Sequence, residues 1–149
     1  MNNNKETLIV KRILKIILLI SWMILIFMLS HQNGSISSKQ SDTVLKFIPR
    51  NFVSNEMILI TMVRKLAHIV EYFVLFVLIY TNIKEYKSKN LYKLSFTLSL
   101  LYSSFDEFHQ VFITDRSGSI IDVLIDAIGI IIACILIKYI NSKRIKFKQ

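Results

Sequence analysis

The sequence has one cysteine and one proline in 149 residues. Cys134 therefore closes no intramolecular disulfide, and inside an apolar run its thiol is expected to behave as a small inert hydrophobe. The proline, Pro49, falls in the one long polar segment, so the apolar runs are free of it. Also missing is a small-x-small cleavage site after the first apolar run, where Leu29 is followed by SHQNGSISS. That run is expected to stay as an anchor rather than leave as a signal peptide. No internal repeat stands out, which gives no support to an inverted-repeat transporter. No HExxH spacing occurs either: in DEFHQ, Glu107 and His109 are two apart and point to different faces of a helix.

Apolar surface, by contrast, is in excess. The chain is 53% apolar with a mean hydropathy of +0.49, too oily for an ordinary soluble domain. A membrane span takes about 20 mostly apolar residues at about 1.5 Å of rise each. Four stretches qualify, near 13–30, 57–80, 92–113 and 120–139. The expected fold is all-α: one integral membrane domain over residues 1–149, with four transmembrane helices and no room for a second domain or a soluble catalytic module. The first stretch reads as a lipid-facing anchor with an interfacial Trp22. The polar segment after it is expected to hold a short amphipathic surface piece around Thr43 to Ile48.

The net charge of +9 raises nucleic acid as a partner, and the placement of the charge argues against it. Lys5, Lys11, Arg12 and Lys15 precede the first stretch, Lys84, Lys87, Lys89 and Lys93 separate the second from the third, and Lys138, Lys143, Arg144, Lys146 and Lys148 end the chain. If the four stretches alternate across a membrane, those thirteen share a side, and only Lys39, Lys46, Arg50, Arg64, Lys65 and Arg116 lie on the other. The positive-inside rule then places both termini in the cytoplasm, with the basic loops against anionic lipid headgroups.

The remaining polar residues sit where hydrocarbon is expected. On the second stretch, RKLAHIVEY puts Arg64, His68 and Glu71 at i, i+4 and i+7 on one face, with Lys65 and Tyr72 alongside. The third carries a stripe of Ser99, Ser103, Asp106 and Gln110, adjoined by Glu107 and His109. The fourth aligns Asp122, Asp126, Gly129 and Ala133, and its small residues let a neighbouring helix approach closely. With the termini inside, all these groups fall in the outer half of the membrane, near Arg116 in the short loop. Charges at such depth are costly, so the cluster must face inward and be paired. Arg64, Lys65 and Arg116 oppose Glu71, Asp106, Glu107, Asp122 and Asp126, an excess of two negative charges. Protonated His68 and His109, protonated carboxylates, a bound divalent cation or a cationic ligand group would offset it. His31 reads as an exposed loop residue and Asp115 as a turn residue.

RKLAHIVEY, DEFHQVFITDR and DVLIDAIG, in that order and spacing, together with the loop SHQNGSISSKQS, resemble the VanZ-like family over about residues 16 to 137. The resemblance carries the family's polar motif onto Arg64, Lys65, His68, Glu71, Tyr72, Asp106, Glu107, His109, Gln110, Arg116, Asp122 and Gly129. Two departures are Asp126, where asparagine is frequent, and TDR at 114–116, where a proline-glycine turn is frequent. The family is named for a protein associated with low-level resistance to the lipoglycopeptide teicoplanin. The resemblance implies a multi-pass protein of a bacterial plasma membrane with membrane lipids as partners.

Together these readings point to an outward-facing pocket for a lipid headgroup or lipid-linked cell-wall intermediate. Arg64, Lys65 and Arg116 would hold phosphate, and the histidines and carboxylates, Asp126 included, would orient them. An enzyme acting on an envelope lipid is the alternative, with His68, Glu71, Asp106, Glu107 and His109 as candidate acids and bases, although no nucleophile is identifiable. A proton-coupled carrier is a third, and four helices would need a homo-oligomer to form its pathway. No cofactor is specified by the sequence. A metal is the weaker reading and would nominate His68, Asp106 and His109.

Overall fold

A computed structural model of the chain describes residues 3–45, 56–86, 88–116 and 118–146. Five α-helices follow in order: α1 (Asn3–Ser30), α2 (Gly34–Leu45), α3 (Glu56–Ile83), α4 (Leu91–Gln110) and α5 (Ile120–Lys146), with a short 3-10 turn at Lys84–Tyr86 after α3. No strand occurs among the described residues. The all-α expectation holds, and the four apolar stretches correspond to α1, α3, α4 and α5. Three of them, over Lys5–Ser30, Met57–Tyr86 and Ile120–Arg144, are long and apolar enough to cross a membrane. α4 is not among these, because serines, Asp106 and Glu107 interrupt its apolar composition.

α2 was not expected as a helix. It covers GSISSKQSDTVL, a segment whose serines and opening glycine read as loop, and it begins well before the amphipathic piece placed around 43–48. That piece overlaps only the end of α2, and the rest of it lies outside the described residues. The helix starts where the Asn33 carbonyl accepts the amides of Ile36 and Ser37, and where Gly34 passes against the backbone of Asp115. A Cβ at Gly34 would stand 2.1 Å from the Asp115 carbonyl oxygen, so tertiary contact rather than helix propensity holds α2 in place.

α3 is the central helix and packs against α1, α2, α4 and α5. Its buried residues Tyr72, Leu75, Phe76, Ile79 and Tyr80 follow the i, i+3, i+4 repeat of a single face and form the core with Ile26, Ile130 and Ala133. α3 and α5 approach at Gly129, as its small-residue face predicts: an added Cβ would lie 2.2 Å from the Ile69 carbonyl oxygen. α5 begins at Ser119, whose hydroxyl accepts the Ile121 amide as an N-cap.

α4 is built in the reverse sense to a soluble amphipathic helix. Ser95, Ser99, Ser103, Asp106, Glu107 and Gln110 are its buried residues, while Leu94, Leu98, Leu101, Phe105 and Phe108 are exposed. Ser95 and Ser99 spend their hydroxyls on the carbonyls four residues back, so they cross the core without needing another helix. The exterior of α1, α3 and α5 is likewise lined by exposed Leu, Ile, Val and Met.

The sequence reading made α1 a simple anchor with an interfacial Trp22. In the structure the Trp22 indole donates to the Glu71 carbonyl (3.0 Å), and the Met23 carbonyl accepts the Tyr102 hydroxyl (2.6 Å). At the opposite end, Arg12 and Lys15 both pair with Glu85. α1 is thus tied to the bundle along its length.

The Gly129 contact generates a stability prediction. Gly129→Leu drives a side chain into the α3 backbone, which has no rotamer to yield, and should cost about 1–3 kcal/mol. Thermal unfolding in detergent measures it, and an unshifted midpoint would contradict the packing.

Candidate functional site

Four helices and one loop bring their polar groups to the same end of the bundle. α3 contributes Arg64, Lys65, His68, Glu71 and Tyr72 from its first half, α4 contributes Ser103 to Gln110 from its last turns, and α5 contributes Asp122 and Asp126 from its first turns. α1 adds Ser30 at its C-terminus, and the 111–119 loop adds Arg116. The geometry follows from chain direction: α3 and α5 enter the bundle at the end where α1 and α4 leave it.

At the centre is Asp126, fully buried. One of its oxygens accepts the Ser103 hydroxyl at 2.7 Å, and the other lies 3.2 Å from His68 Nδ1. Asp106, one turn further along α4, accepts the Ser30 hydroxyl at 2.7 Å and the Gln110 amide at 3.3 Å. Glu107 accepts the same amide at 3.2 Å and the backbone N–H of Ser119 at 3.0 Å. Gln110 is therefore a buried hub that joins both carboxylates. Glu107 belongs to the interior, being only 4% exposed, which rules out a rim position. Among the described residues, Asp106 and Glu107 have no basic side chain within 4.0 Å and are held by neutral donors alone.

The basic groups divide differently. Lys65 reaches Asp122 at 3.8 Å, and both are partly exposed, so this pair is a rim contact worth less than about 1 kcal/mol. Arg116 donates from Nε to the Gln32 carbonyl (3.0 Å), from Nη2 to the Leu29 carbonyl (3.1 Å) and from Nη1 to Gln110 Oε1 (3.2 Å). It closes the C-terminus of α1, whose last carbonyls lack helical partners, and ties it to α4. The TDR departure from a proline-glycine turn thus leaves Arg116 firmly placed, with Asp115 taking the left-handed conformation (φ 60°) the turn requires. Burial and the nearby Arg64 push the Arg116 guanidinium below its ordinary range, and Asp106, Glu107 and Glu71 pull it back up.

Arg64 differs from all of these. It makes no hydrogen bond or ion pair among the described residues, and its Nε is buried without a partner. It stands on the wall between two cavities. One, of about 320 Å³, is also bordered by Lys65, His68, Glu107, Gln110 and Asp122. The other, of about 200 Å³, runs between α1, α2 and α3 past Leu29, Val63, Ala67 and Glu71. Arg64, His68 and Arg116 border both.

Most residues singled out from the sequence converge here. His109 is the exception: its ring lies against Phe27 (4.7 Å) and His31 (5.3 Å) on the α1 side of α4, and it borders neither cavity. His31 is exposed, as expected, but stacks on this aromatic group rather than standing free. Tyr72 and Asp106 border neither cavity; the Tyr72 hydroxyl and one Asp106 oxygen are buried without a hydrogen bond of normal geometry, and the two groups interact with each other. Among the described residues, His68, Glu107 and Asp126 bring one ligand atom each to within 4.8 Å of one another. The set nominated from sequence, His68, Asp106 and His109, shares only His68 with that group. Ser30, Gln32 and the binding role of Ser103 escaped the sequence reading. The signal available for Ser30 was its position at the end of an apolar run that needs no serine.

An all-helical bundle with apolar flanks and one polar end defines a multi-pass membrane protein. Its sequence places it more closely: the family model described as VanZ/LLP1 matches residues 15–141, and the chain belongs to that family. No curated protein and no solved structure matches it.

The Arg116 contacts predict a specific loss. Arg116→Lys keeps the charge but cannot span three acceptors, and should destabilise the protein by roughly 1.5–3 kcal/mol. The fall in melting temperature in detergent is the readout; equal stability of the two forms would exclude the clamp.

Proposed function

We propose that the protein binds the phosphorylated headgroup of a lipid or lipid-linked cell-wall intermediate at the polar end of its bundle. The observation that carries this reading is the unpaired Arg64 guanidinium beside Arg116 on the wall of two cavities. Two neighbouring guanidinium groups, one with no protein partner, are unfavourable until an anion joins them, and Arg offers phosphate a bidentate fork. The larger cavity is edged by Lys65, which adds a point charge at its mouth. Arg116 retains two of its five N–H donors after its contacts with Gln32, Leu29 and Gln110. The smaller cavity, with Leu29, Val63 and Ala67 on its walls, offers space for the apolar part of the same ligand.

In this reading α4 crosses the bilayer with α1, α3 and α5. Its leucines and phenylalanines face outward and its polar residues inward, the arrangement that lipid imposes and water disfavours. Both termini then lie in the cytoplasm of a bacterial plasma membrane, since the basic residues around Arg12, Lys84, Lys93 and Lys143 gather at the end opposite the cavities. The cavities open to the outer face, where capture of an envelope lipid would reduce the access of teicoplanin-like antibiotics to their target.

Arg64→Gln should weaken binding of anionic phospholipid to the purified protein by roughly tenfold or more, as loss of a charge-assisted contact requires, without affecting a lipid that carries no phosphate. Native mass spectrometry of the lipid-bound protein measures it. In cells, the same variant should lose any teicoplanin protection while remaining in the membrane. Full protection from a well-expressed variant would sink the reading.

A second reading is favoured by the pair His68 and Asp126. A buried carboxylate on one ring nitrogen is how a general acid or base is oriented, and His68 borders both cavities. Catalysis would appear as a lipid species that depends on His68 in extracts of complemented deletion strains; identical lipid profiles would leave binding alone.

A further inference from the structure

We propose that His68, Glu107 and Asp126 form a site for one first-row divalent cation, of the Mn²⁺ or Zn²⁺ class, in the wall of the larger cavity. The inference goes beyond headgroup binding and does not require it.

Three features carry it. The first is geometry. A cation held at about 2.0–2.2 Å by nitrogen and carboxylate oxygen needs its ligands about 3–3.5 Å apart. His68 Nδ1 and Asp126 Oδ1 are already 3.2 Å apart, and all three ligand atoms lie within 4.8 Å of one another. They come from α3, α4 and α5, and two of these residues border the cavity, which leaves a coordination position open toward it. One imidazole with two carboxylates suits manganese or zinc better than calcium, which prefers oxygen alone.

The second is charge. Glu107 and Asp126 are buried, and the only ionisable group of opposite tendency within 4.0 Å of either, among the described residues, is His68. Two buried carboxylates with one imidazole are short of positive charge, and a divalent cation with neutral His68 brings the set to zero. The carboxylates are also held as metal-binding carboxylates are: Ser103 donates to the Asp126 oxygen away from His68, and Ser119 and Gln110 donate to Glu107.

The third is independent of the cluster. The Tyr72 hydroxyl is fully buried without a hydrogen bond of normal geometry, as is one oxygen of Asp106, and these two groups interact with each other and with Asp126. Buried polar atoms of this kind point to an occupant. Water bound to the cation would bridge the hydroxyl and that carboxylate oxygen.

The test uses the full chain, purified in detergent and stripped with chelator. Manganese(II) chloride alone is titrated while free Mn²⁺ is followed by electron paramagnetic resonance, and zinc is counted by elemental analysis. One ion per chain is expected, with binding weakened at least tenfold in Glu107→Gln and Asp126→Asn and a metal-dependent rise in melting temperature seen only in the unaltered protein. Arg64→Gln, which removes the proposed anion anchor, should keep its Mn²⁺ affinity, so failure of headgroup binding and failure of the cation site are separable. Absence of stoichiometric binding to the unaltered protein overturns the proposal whatever the variants do. Equal binding by folded Glu107→Gln and Asp126→Asn overturns it too, by placing the ion elsewhere.

Discussion

The bundle is organised by the need of α4 to satisfy a polar stripe internally. Ser103, Asp106, Glu107 and Gln110 face inward while leucines and phenylalanines of the same helix face out. Removed from water, each polar group must find a partner on another helix or in the adjoining loop, and three of them do so on three different elements. Asp106 is met by Ser30 of α1, Ser103 donates to Asp126 of α5, and Glu107 accepts the amide of Ser119. Hydrogen bonds in a low-dielectric interior are directional and costly to leave unmade, so they set the rotation of α4 about its axis. Apolar contacts alone would tolerate several rotations.

The same constraint joins stability to function. Had every polar atom been satisfied within the protein, the stripe would be helix glue and nothing more. Arg64 retains an unpartnered buried atom on the wall of two cavities, and Tyr72 and Asp106 each retain one in the interior of the same polar cluster. The opposite end of the bundle shows what full satisfaction looks like. There Asn141 donates to the hydroxyls of Tyr80 and Tyr92, and Glu85 takes both Arg12 and Lys15. One end is closed by its own side chains, and the other holds two cavities and the unpaired Arg64.

Much of this could be read from residue patterns. The i, i+4, i+7 spacing of Arg64, His68 and Glu71 and the serine stripe of α4 mark faces, because helix geometry turns spacing into direction. Gly129 likewise announced a close approach that the Ile69 backbone occupies. What could not be read was which groups take one another. Arg116, grouped from sequence with the phosphate-binding bases, spends three donors on the Leu29 and Gln32 carbonyls and the Gln110 side chain. His109, one residue from the hub Gln110, turns to Phe27 and His31 instead, since adjacent helical positions diverge by about 100°. α2 was invisible because its propensity is poor and its position depends on contacts with the 111–119 loop and α3.

The sequence by itself determined that the chain is a helical membrane protein with a mixed polar cluster in excess of carboxylate, because apolar length and charge position are properties of the string. Only the tertiary structure decided the partnerships: His68 with Asp126, Gln110 between two acids, Lys65 at the rim and Arg64 alone. Those assignments depend on helix rotation and depth to within a few ångströms, and no periodicity encodes that. The polar bonds of α4 supply it, through contacts between residues as far apart as Ser30 and Asp106.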